Sequence, residues 1–391
     1  GVGVIFYIMM GLRRRLRELG WFKARRLAEP NLAELLDLVA LGTVADVVQL
    51  DRNNRILVAQ GLARMRAGQV RPGIRALCEV ARRTPSRLVP SDLAFALAPR
   101  LNAAGRMEDI SVGIECLLTK DDRSAMALAA QLDALNHERR EVEQSMQEQA
   151  MAALAELELD ERHLPYSLCL YDPDWHQGVI GILASRLKER LHRPVIAFAD
   201  GGDGLIKGSA RSIPGLHIRD ALDSVAARHP HLIDRFGGHA MAAGLSLRQE
   251  ILEAFSQAFE EVVAEALDSS DLEGVIHSDG ELGEAELSLP LAEQIRYLLP
   301  WGQGVPEPLF HGDFELVERR IVGEKHLKMK LRPLQGNGIY EAIAFNITDE
   351  DWPSGTQRLR LAYRLDVNEY NGRRSLQLMV EQLEPLLPES S

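Results

Sequence analysis

Between Leu32 and Ala40 the apolar residues recur three and four positions apart, which predicts an amphipathic helix. Asn31 has a side chain suited to the helix N-cap, and Gly42 is expected to end the helix. Residues 1–118 as a whole are interpreted as helices interrupted by one buried strand-like element. The first third of the chain is therefore predicted to be mainly helical.

A long polar segment from Asp121 to about Leu159 contains no glycine or proline and is predicted to form one helix. Its apolar residues keep a heptad-like stripe that Arg139 interrupts: Leu128, Leu132, Leu135, Val142 and Met146. A narrow stripe on a highly charged helix is typical of a coiled-coil partner and equally of a helix that joins two lobes. Both interpretations remain open from the pattern alone.

Residues 165–268 alternate short apolar runs with amphipathic segments, a pattern typical of an α/β lobe with a parallel or mixed sheet. The runs of strand type are Ser167–Tyr171 and Pro194–Ala199. The segments of helical type are Val179–Leu191, Ile218–Ala227 and Ile251–Leu267.

After Ser269-Ser270-Asp271 the pattern changes to β structure. Asn371-Gly372 lies between two strand-like runs and is a strong signal for a tight hairpin. The other strand-like runs are Phe314–Val317, His326–Leu331, Glu341–Ile347 and Leu359–Val367. Several strands preceded by one helix favour a small Greek-key barrel, and an OB-fold fits this pattern best.

The composition is that of a globular protein of two or three domains, with 391 residues, 46% of them hydrophobic and 26% charged. No apolar run is long enough to span a bilayer, so we expect no membrane association. Cys78, Cys116 and Cys169 are widely spaced without zinc-binding spacing, which favours buried side chains and a cytoplasmic location. The net charge of −12 excludes a generally basic surface but allows a local basic groove.

The stretch Phe236–Gly244 surrounds His239 with glycine and alanine. Glycine permits positive φ and lets a ligand approach main-chain amides, and successive amides form an anion-binding concavity. We predict a turn that enters a helix, whose amino terminus would add to the attraction for a phosphate. A tight turn capped by His239 is the structural alternative, and the stretch alone does not decide between them.

Two further segments share this chemistry. Lys207–Ser212 combines small residues with the hydroxyl of Ser209 and the guanidinium of Arg211, and is interpreted as a second glycine-containing turn. Arginine offers a rigid bidentate fork to phosphate, and serine adds a short donor. Asp174–Arg186 is predicted to be a strand end that turns through glycines into a helix.

Two more segments complete the set, Leu41-Gly42-Thr43-Val44-Ala45-Asp46 and Pro99-Arg100-Leu101-Asn102-Ala103-Ala104-Gly105-Arg106. Together, in this order and over essentially the whole chain, the segments resemble the RecJ family of single-strand-specific exonucleases in the DHH phosphoesterase superfamily. The aspartate-rich strand motif and the Asp-His-His motif, which precede the Gly-Thr-Val-Ala-Asp segment in that family, are not found. The chain is therefore interpreted as lacking the amino-terminal half of the catalytic domain.

The resemblance implies an α/β multidomain fold with four parts. These are the remainder of a DHH α/β catalytic domain (1–118), a connector helix (119–162), a DHH-associated α/β domain (163–270) and a carboxy-terminal OB-like β-barrel that binds DNA (271–391).

The resemblance also implies that Asp46 is a ligand of a catalytic Mn²⁺ or Mg²⁺. A lone aspartate after a small-residue turn is otherwise most often a helix cap or a solvated charge. A two-metal site activates the attacking water and stabilises the leaving oxygen. One carboxylate does not assemble such a site, so we expect the metal site to be incomplete here and this chain alone to be inactive.

Several DNA contacts are implied by the same resemblance. Asn102 and Arg106 share one face if their segment is helical and would contact the DNA backbone or its terminal phosphate; a structural role for Arg106 in capping carbonyls is the alternative. Ser209, Arg211 and His239 are expected to bind the 5′ phosphate or the backbone nearest the scissile bond.

Amides of Gly237 and Gly238 would complete this pocket. His176 and Gln177 are candidates to line it, whereas Trp175 is more typical of a core aromatic. In the β domain, aromatic and cationic residues together are typical of a single-strand groove, and also of an ordinary exposed strand face. These residues are Lys328, Lys330, Tyr363, Arg364, Tyr370, Arg373 and Arg374.

The implied function is a metal-dependent, single-stranded-DNA-specific 5′-to-3′ exonuclease of DNA repair and recombination. One alternative is a DHH-type oligoribonuclease or nucleotide phosphatase, although such enzymes are typically short and lack an OB-like domain. Another is a non-catalytic scaffold that binds single strands. The expected partners are single-stranded DNA, a single-strand-binding protein and a helicase, and the chain is expected to be a monomer.

Overall fold

The computed structural model describes residues 1–107, 109–156, 164–323, 326–345, 357–370 and 372–386, with side chains at all of these positions except 106, 107, 155, 156 and 370. The chain divides into two compact units, one of Gly1–His137 with Ile276–Ser391 and one of Glu138–Val275. The mixed α/β fold class predicted from the sequence is confirmed.

The amino-terminal part of the first unit is helical. Its described residues up to Leu118 contain no strand, so the expectation of a buried strand-like element there is wrong. A short apolar run does not distinguish a buried strand from a helix buried on several sides, and α3 is such a helix. The helices are α1 (Val2–Glu18), α2 (Trp21–Arg25), α3 (Leu36–Ala45), α4 (Arg52–Arg66), α5 (Pro72–Val80), α6 (Pro90–Asp92), α7 (Ala98–Met107) and α8 (Ser111–Leu118), with a 3-10 turn at Leu32–Leu35 and a π-helical turn at Leu93–Leu97.

Asn31 caps the 3-10 turn Leu32–Leu35, which leads into α3, as expected, since its Oδ1 accepts a hydrogen bond from Ala33 N–H at 3.3 Å. The expectation that Gly42 ends the helix is wrong, because α3 continues to Ala45. A Cβ at Gly42 would lie 2.9 Å from Cγ1 of Val2, so the glycine permits close packing of α1 on α3. Its small size serves helix packing here and not helix termination.

We expect Gly73→Ala to destabilise the first unit by about 1–3 kcal/mol, the usual cost of overpacking. A Cβ at Gly73, in the first turn of α5, would lie 1.8 Å from the carbonyl oxygen of Cys116 in α8, so the two helices would have to separate. Gly11→Ala in α1 is the control, because a Cβ there meets nothing within 4 Å and alanine favours helix. Urea unfolding followed by circular dichroism measures both; equal free energies of unfolding would contradict the close contact.

The second unit contains a five-stranded sheet of order β1-β2-β3-β5-β4, in which β1 and β2 are parallel and the other pairs antiparallel. The long polar segment is confirmed as one helix, α9 (Asp122–Glu156), whose second half belongs to this unit. The remaining elements are β1 (Leu168–Tyr171), α10 (Ile180–Leu191), β2 (Val195–Gly202), β3 (Leu205–Arg211), α11 (Ile218–Arg228), β4 (Arg235–Gly238), β5 (Ala242–Arg248) and α12 (Leu252–Ala266).

Helices cover this sheet unequally. On one face α11 and α12 pack on residues from β2, β3 and β5, including Phe198, Ile206 and Leu245. On the other face α10 covers β2 through a core that contains Val195, Ala197 and Ala199. The residues of β3, β5 and β4 that point to this second face lie outside that core, although the first turn of α10 also lies against Ser209 and Arg211 of β3. The rest of this face is open, with Lys207, Arg235, Gly237, Ala242 and Gly244 exposed.

The carboxy-terminal part of the first unit is a closed barrel of order β10-β8-β7-β6-β9, preceded by one helix, as the OB-like prediction requires. The Asn371-Gly372 hairpin is confirmed by the antiparallel pairing of β9 with β10, although Asn371 itself lies outside the described residues. The elements are α13 (Leu289–Leu298), β6 (Phe310–Val322), β7 (His326–Pro333), β8 (Tyr340–Phe345), β9 (Arg358–Tyr370) and β10 (Arg373–Pro385).

Candidate nucleic-acid interface

The open part of the sheet in the second unit carries nine residues in three rows, which we call the open face. Strand register sets the rows, because directly paired residues of neighbouring strands point to the same side. The rows are Lys207–Ser246–Arg235, Ser209–Gly244–Gly237 and Arg211–Ala242–His239. His239 follows β4 and lies beside Ala242, since its N–H donates to Ala242 O at 2.9 Å.

Ser209, Arg211 and His239 are thus brought onto one surface, although the secondary structure around them differs from the prediction. Lys207–Ser212 is mostly strand β3 and not a turn. Phe236–Gly244 forms a β4–β5 hairpin and does not enter a helix. Glycine is compatible with both conformations, and the antiparallel partner of each segment lies too far along the chain for a local pattern to show it.

Arg211 is half-buried, and its Nη1 donates to Ser209 Oγ at 3.0 Å and to the carbonyl of Ala210 at 2.8 Å. Burial lowers the pKa of its guanidinium below the ordinary value. Among the described residues no carboxylate balances this charge. Arginine stays protonated even when partly buried, so a desolvated cation held in place by neutral groups is suited to bind an anion.

The first turn of α10 lies against the same two side chains. A Cβ at Gly181 would be 3.0 Å from Nη2 of Arg211 and 3.3 Å from Oγ of Ser209, so glycine lets the helix approach both side chains closely. The predicted turn into a helix is confirmed by α10, whereas the strand before it, β1, ends at Tyr171 and does not reach Asp174. The positive end of the helix dipole therefore adds to the charge of Arg211.

The two candidate glycines of the hairpin differ in role. A Cβ at Gly237 would meet nothing within 4 Å, so this residue is part of an empty floor. Gly238 has φ +152°, and its Cβ would lie 2.4 Å from Ala242 O, so the hairpin itself requires glycine there. The predicted donation of their amides to a phosphate stays a prediction.

The loop before α10 borders the open face. His176 is exposed, and its Nδ1 accepts a hydrogen bond from Gly178 N–H at 3.0 Å, which is a structural role that leaves Nε2 for a ligand. Gln177 donates to Asp200 O at 3.0 Å and accepts from Lys207 Nζ at 3.1 Å. Trp175 packs against the core beneath α10, in keeping with its interpretation as a core aromatic.

Asp46 is exposed and is the C-cap residue of α3, so its carboxylate does lie at the end of an element. The next residue, Val47, has φ +49°, a strained conformation for a β-branched side chain. The described residues contain no cluster of three or more His, Cys, Asp or Glu side chains that would hold a metal ion. Asp46 alone does not fit a two-metal site, and no catalytic step is assigned to a metal here.

Asn102 is exposed on α7, so the helix expected for Pro99–Arg106 is confirmed. The side chain of Arg106 lies outside the described residues. The suggested contact of both residues with DNA stays a prediction.

On the barrel, the expectation that Tyr363 stacks on a base is wrong. Its side chain is 1% exposed and packs between Phe310 and Phe314 in the core, where burial raises its pKa well above the ordinary value. Tyr363 lies two residues from each of the inward residues Leu361 and Leu365 of β9, and that period of two is the signal that identifies it as core.

The predicted cations of the barrel lie on its outside. Lys328 pairs with Glu341 at 3.0 Å and Arg364 with Glu381 at 3.3 Å, so a phosphate would have to compete with these carboxylates. Arg373 is exposed, and the side chain of Tyr370 lies outside the described residues.

Sequence reasoning did not select Lys207 or Arg235 as binding residues. Lys207, Ser209 and Arg211 alternate with the buried Ile206, Gly208 and Ala210, which is the period of a half-buried strand. Interpreting this segment as a strand would have placed Lys207 beside the other two. Arg235 carries no comparable local signal, because only the register of β4 with β5 brings it to the open face.

Comparisons with known proteins agree with this architecture. Residues 278–382 match the model of the RecJ OB domain, and residues 164–265 match that of the DHHA1 domain. The chain is 59% identical to the single-stranded-DNA-specific exonuclease RecJ of Dickeya dadantii and 55% identical to that of Escherichia coli. Each alignment covers 99% of this chain and 67% of the relative.

Solved structures show the same similarity. RecJ from Thermus thermophilus in complex with Mg²⁺ superposes with a TM-score of 0.68 at 32% identity, over 94% of this chain and 54% of that chain. Its complex with Mn²⁺ gives a TM-score of 0.67 at 32% identity, over 94% of this chain and 52% of that chain. The chain thus spans about half of the Thermus structures. Among the described residues no helix is long and apolar enough to cross a membrane.

Proposed function

We propose, because this chain belongs to the RecJ family of single-stranded-DNA-specific exonucleases, that it is part of an enzyme that degrades single-stranded DNA from the 5′ end. The observation that carries the proposal within this chain is the open face, where Arg211 has a charge that no carboxylate balances among the described residues. The metal dependence is proposed from the Mg²⁺ and Mn²⁺ complexes of the Thermus thermophilus relative. Asp46 is the residue of this chain that we propose as one metal ligand.

We propose that Ser209 and Arg211 hold the 5′ phosphate of the strand. The guanidinium supplies charge-assisted hydrogen bonds, the hydroxyl supplies a short donor, and the first turn of α10 lies beside both. His239 completes the row, and its imidazole can donate to a phosphate when protonated. Contacts to phosphates position a strand without reading its bases, so end recognition and independence of sequence go together.

We propose that the barrel also binds single-stranded DNA. Lys328, Arg364 and Arg373 are the candidate backbone contacts, and Tyr370 is a candidate for base stacking. Asn102 and Arg106 on α7 are proposed as additional backbone contacts. Because Tyr363 is buried, most of the remaining candidate contacts on the barrel are cations, more than the sequence suggested.

An enzyme restricted to single strands requires a duplex to be opened first. We therefore propose that it acts with a helicase and a single-strand-binding protein during DNA repair and recombination, as a cytoplasmic monomer. The alternative of a non-catalytic single-strand-binding scaffold applies to this chain on its own, because Asp46 is its one candidate metal ligand from the family motifs.

The test is hydrolysis by the protein expressed from its complete reading frame. We expect Mn²⁺- or Mg²⁺-dependent release of nucleotides from the 5′ end of a single strand, little attack on the same strand in a blunt duplex, and loss of activity in Asp46→Ala. This chain alone should bind single strands, with an affinity that falls as salt rises, and should not degrade them. Equal degradation of duplex DNA, or digestion that begins at the 3′ end, would refute the proposal.

A further inference from the structure

The row Lys207–Ser246–Arg235 lies at one end of the open face, at the opposite end from Arg211 and His239. Lys207 and Arg235 are exposed and come from the two outer strands of the three. One strand, β5, lies between them, and neighbouring strands are about 4.8 Å apart, so the Cα atoms of Lys207 and Arg235 are separated by about 10 Å. Across this distance both long side chains can reach one group. Gln177 accepts a hydrogen bond from Lys207 Nζ and thereby holds this side chain at the border of the face.

Between the two cationic rows the floor is almost free of side chains. In this middle row Gly244 and Gly237 have Cβ positions that meet nothing closer than 3.9 Å, and Ser209 contributes only a hydroxymethyl group. None of the nine residues of the open face is acidic, in a chain whose net charge is −12. A polyanion therefore finds an open path over Gly244 and Gly237 from one cationic row to the other.

The spacing of the rows matches a single strand. Rows on one face of a sheet are two residues apart, which is about 6.8 Å for antiparallel strands. Successive phosphates of an extended single strand are separated by a similar distance. A strand that runs parallel to β3, over the exposed side of β5 and β4, with one phosphate at the Arg211 row would place its next phosphate over the glycine floor and its third at the Lys207 row.

We propose that Lys207 and Arg235 form a second phosphate subsite, which binds the third phosphate counted from the 5′ end of a single strand. This inference rests on the proposed function, in which Arg211 holds the first phosphate. The subsite fixes the direction of the strand along β3 and requires at least three nucleotides for full affinity. It binds the backbone only and is independent of base identity.

The experiment measures binding of this chain to 5′-phosphorylated oligothymidylates of two, three and four nucleotides by NMR titration. The dinucleotide has phosphates for the first two rows, whereas the trinucleotide also reaches the third. We expect Arg235→Ala and Lys207→Ala each to lower the affinity for the trinucleotide and the tetranucleotide about 3–10-fold, and the affinity for the dinucleotide less than about twofold. The affinity of each variant for the longer oligonucleotides should also depend less on salt than that of the wild type. The affinity for the trinucleotide is divided by that for the dinucleotide, and this ratio is compared between each variant and the wild type. A contribution of the barrel, which is unchanged in the variants, cancels in this comparison.

Arg228→Ala is the matched control. Arg228 lies on α11, which covers the other face of the same sheet, and pairs with Glu265. Removing it makes the same change in net charge and should leave the trimer-to-dimer ratio unchanged. Thermal unfolding by circular dichroism establishes that all three variants remain folded.

Loss of affinity that is equal for dimer and trimer, or absent at every length, would overturn the subsite. Arg211→Ala separates this failure from failure of the proposed function. If Arg211→Ala lowers the affinity for the dinucleotide while Arg235→Ala does not alter the ratio of trinucleotide to dinucleotide affinity, end recognition stands and the second subsite is wrong. If Arg211→Ala leaves the dimer unaffected, the assignment of the first phosphate is wrong, and the length dependence of the Arg235→Ala effect then decides the subsite separately.

Discussion

Replacing Arg211 by alanine in the complete enzyme is expected to lower kcat/KM about 10- to 100-fold on strands with a 5′ phosphate. A hydrogen bond to a charged group contributes about 1.5–3 kcal/mol, and about 1.4 kcal/mol corresponds to a factor of ten. Strands with a 5′ hydroxyl should lose much less, because they lack the group that Arg211 is proposed to bind. Steady-state rates on the two substrates, differing only in the terminal phosphate, measure the effect.

Arg211→Lys is the informative companion variant. It keeps the charge but removes the planar fork and the donation from Nη1 to Ser209 Oγ, so we expect an intermediate loss with the preference for a 5′ phosphate retained in part. Equal losses on both substrates would show that Arg211 supports the sheet or contacts the backbone generally. In that case the end-recognition site lies elsewhere.

The sequence predicted the regular elements well where one period persists over many residues. The long helix α9 has no breaking residue over 35 positions, and the barrel strands β7, β8 and the first half of β6 alternate inward and outward residues. The Asn371-Gly372 hairpin is specified by local turn chemistry, because few other residue pairs adopt its backbone conformation. These signals are contained in neighbouring residues, so no knowledge of distant contacts is needed to interpret them.

The errors concern small residues and one aromatic. Gly42 resembles a helix end, but its size accommodates Val2, a contact between residues 40 positions apart in the sequence. Gly208 resembles part of a turn, but it lies in a strand beneath the ring of Phe198. Glycine permits turns, strands and close packing alike, so its role is decided by the partner. Tyr363 was assigned by chemistry alone, although its position in an alternating strand indicated burial.

The candidate site could be predicted in part. Ser209, Arg211 and His239 were selected from their chemistry and from the family resemblance. The register of β3 with β5 places Ser209 and Arg211 on one face, and His239 follows β4 beside Ala242. Lys207 and Arg235 were not selected, because their contribution depends on which strands are neighbours. Strand order is a property of the whole sheet, and β5 lies between β3 and β4 although it follows both in the chain.

The glycines on the two sides of this sheet should respond oppositely to the same substitution. Gly244→Val is expected to leave the free energy of unfolding unchanged or slightly raised, because its Cβ would meet only Gly208 O at 3.9 Å and valine favours strands. Gly208→Val is expected to cost about 3 kcal/mol or more, because its Cβ alone would lie 2.6 Å from the ring of Phe198 and 2.7 Å from Leu245. Urea unfolding of the two variants measures this difference.

Binding should show the functional consequence of filling the floor. The valine side chain of Gly244→Val would occupy the path between the two cationic rows, so we expect at least a tenfold loss of affinity for a 5′-phosphorylated trinucleotide in a fully folded protein. Gly237→Val, on the neighbouring strand of the same row, should act in the same way because its Cβ meets nothing within 4 Å. A folded Gly244→Val variant that binds the trinucleotide as tightly as wild type would show that the strand does not cross the open face, and both phosphate positions assigned to that face would have to be abandoned.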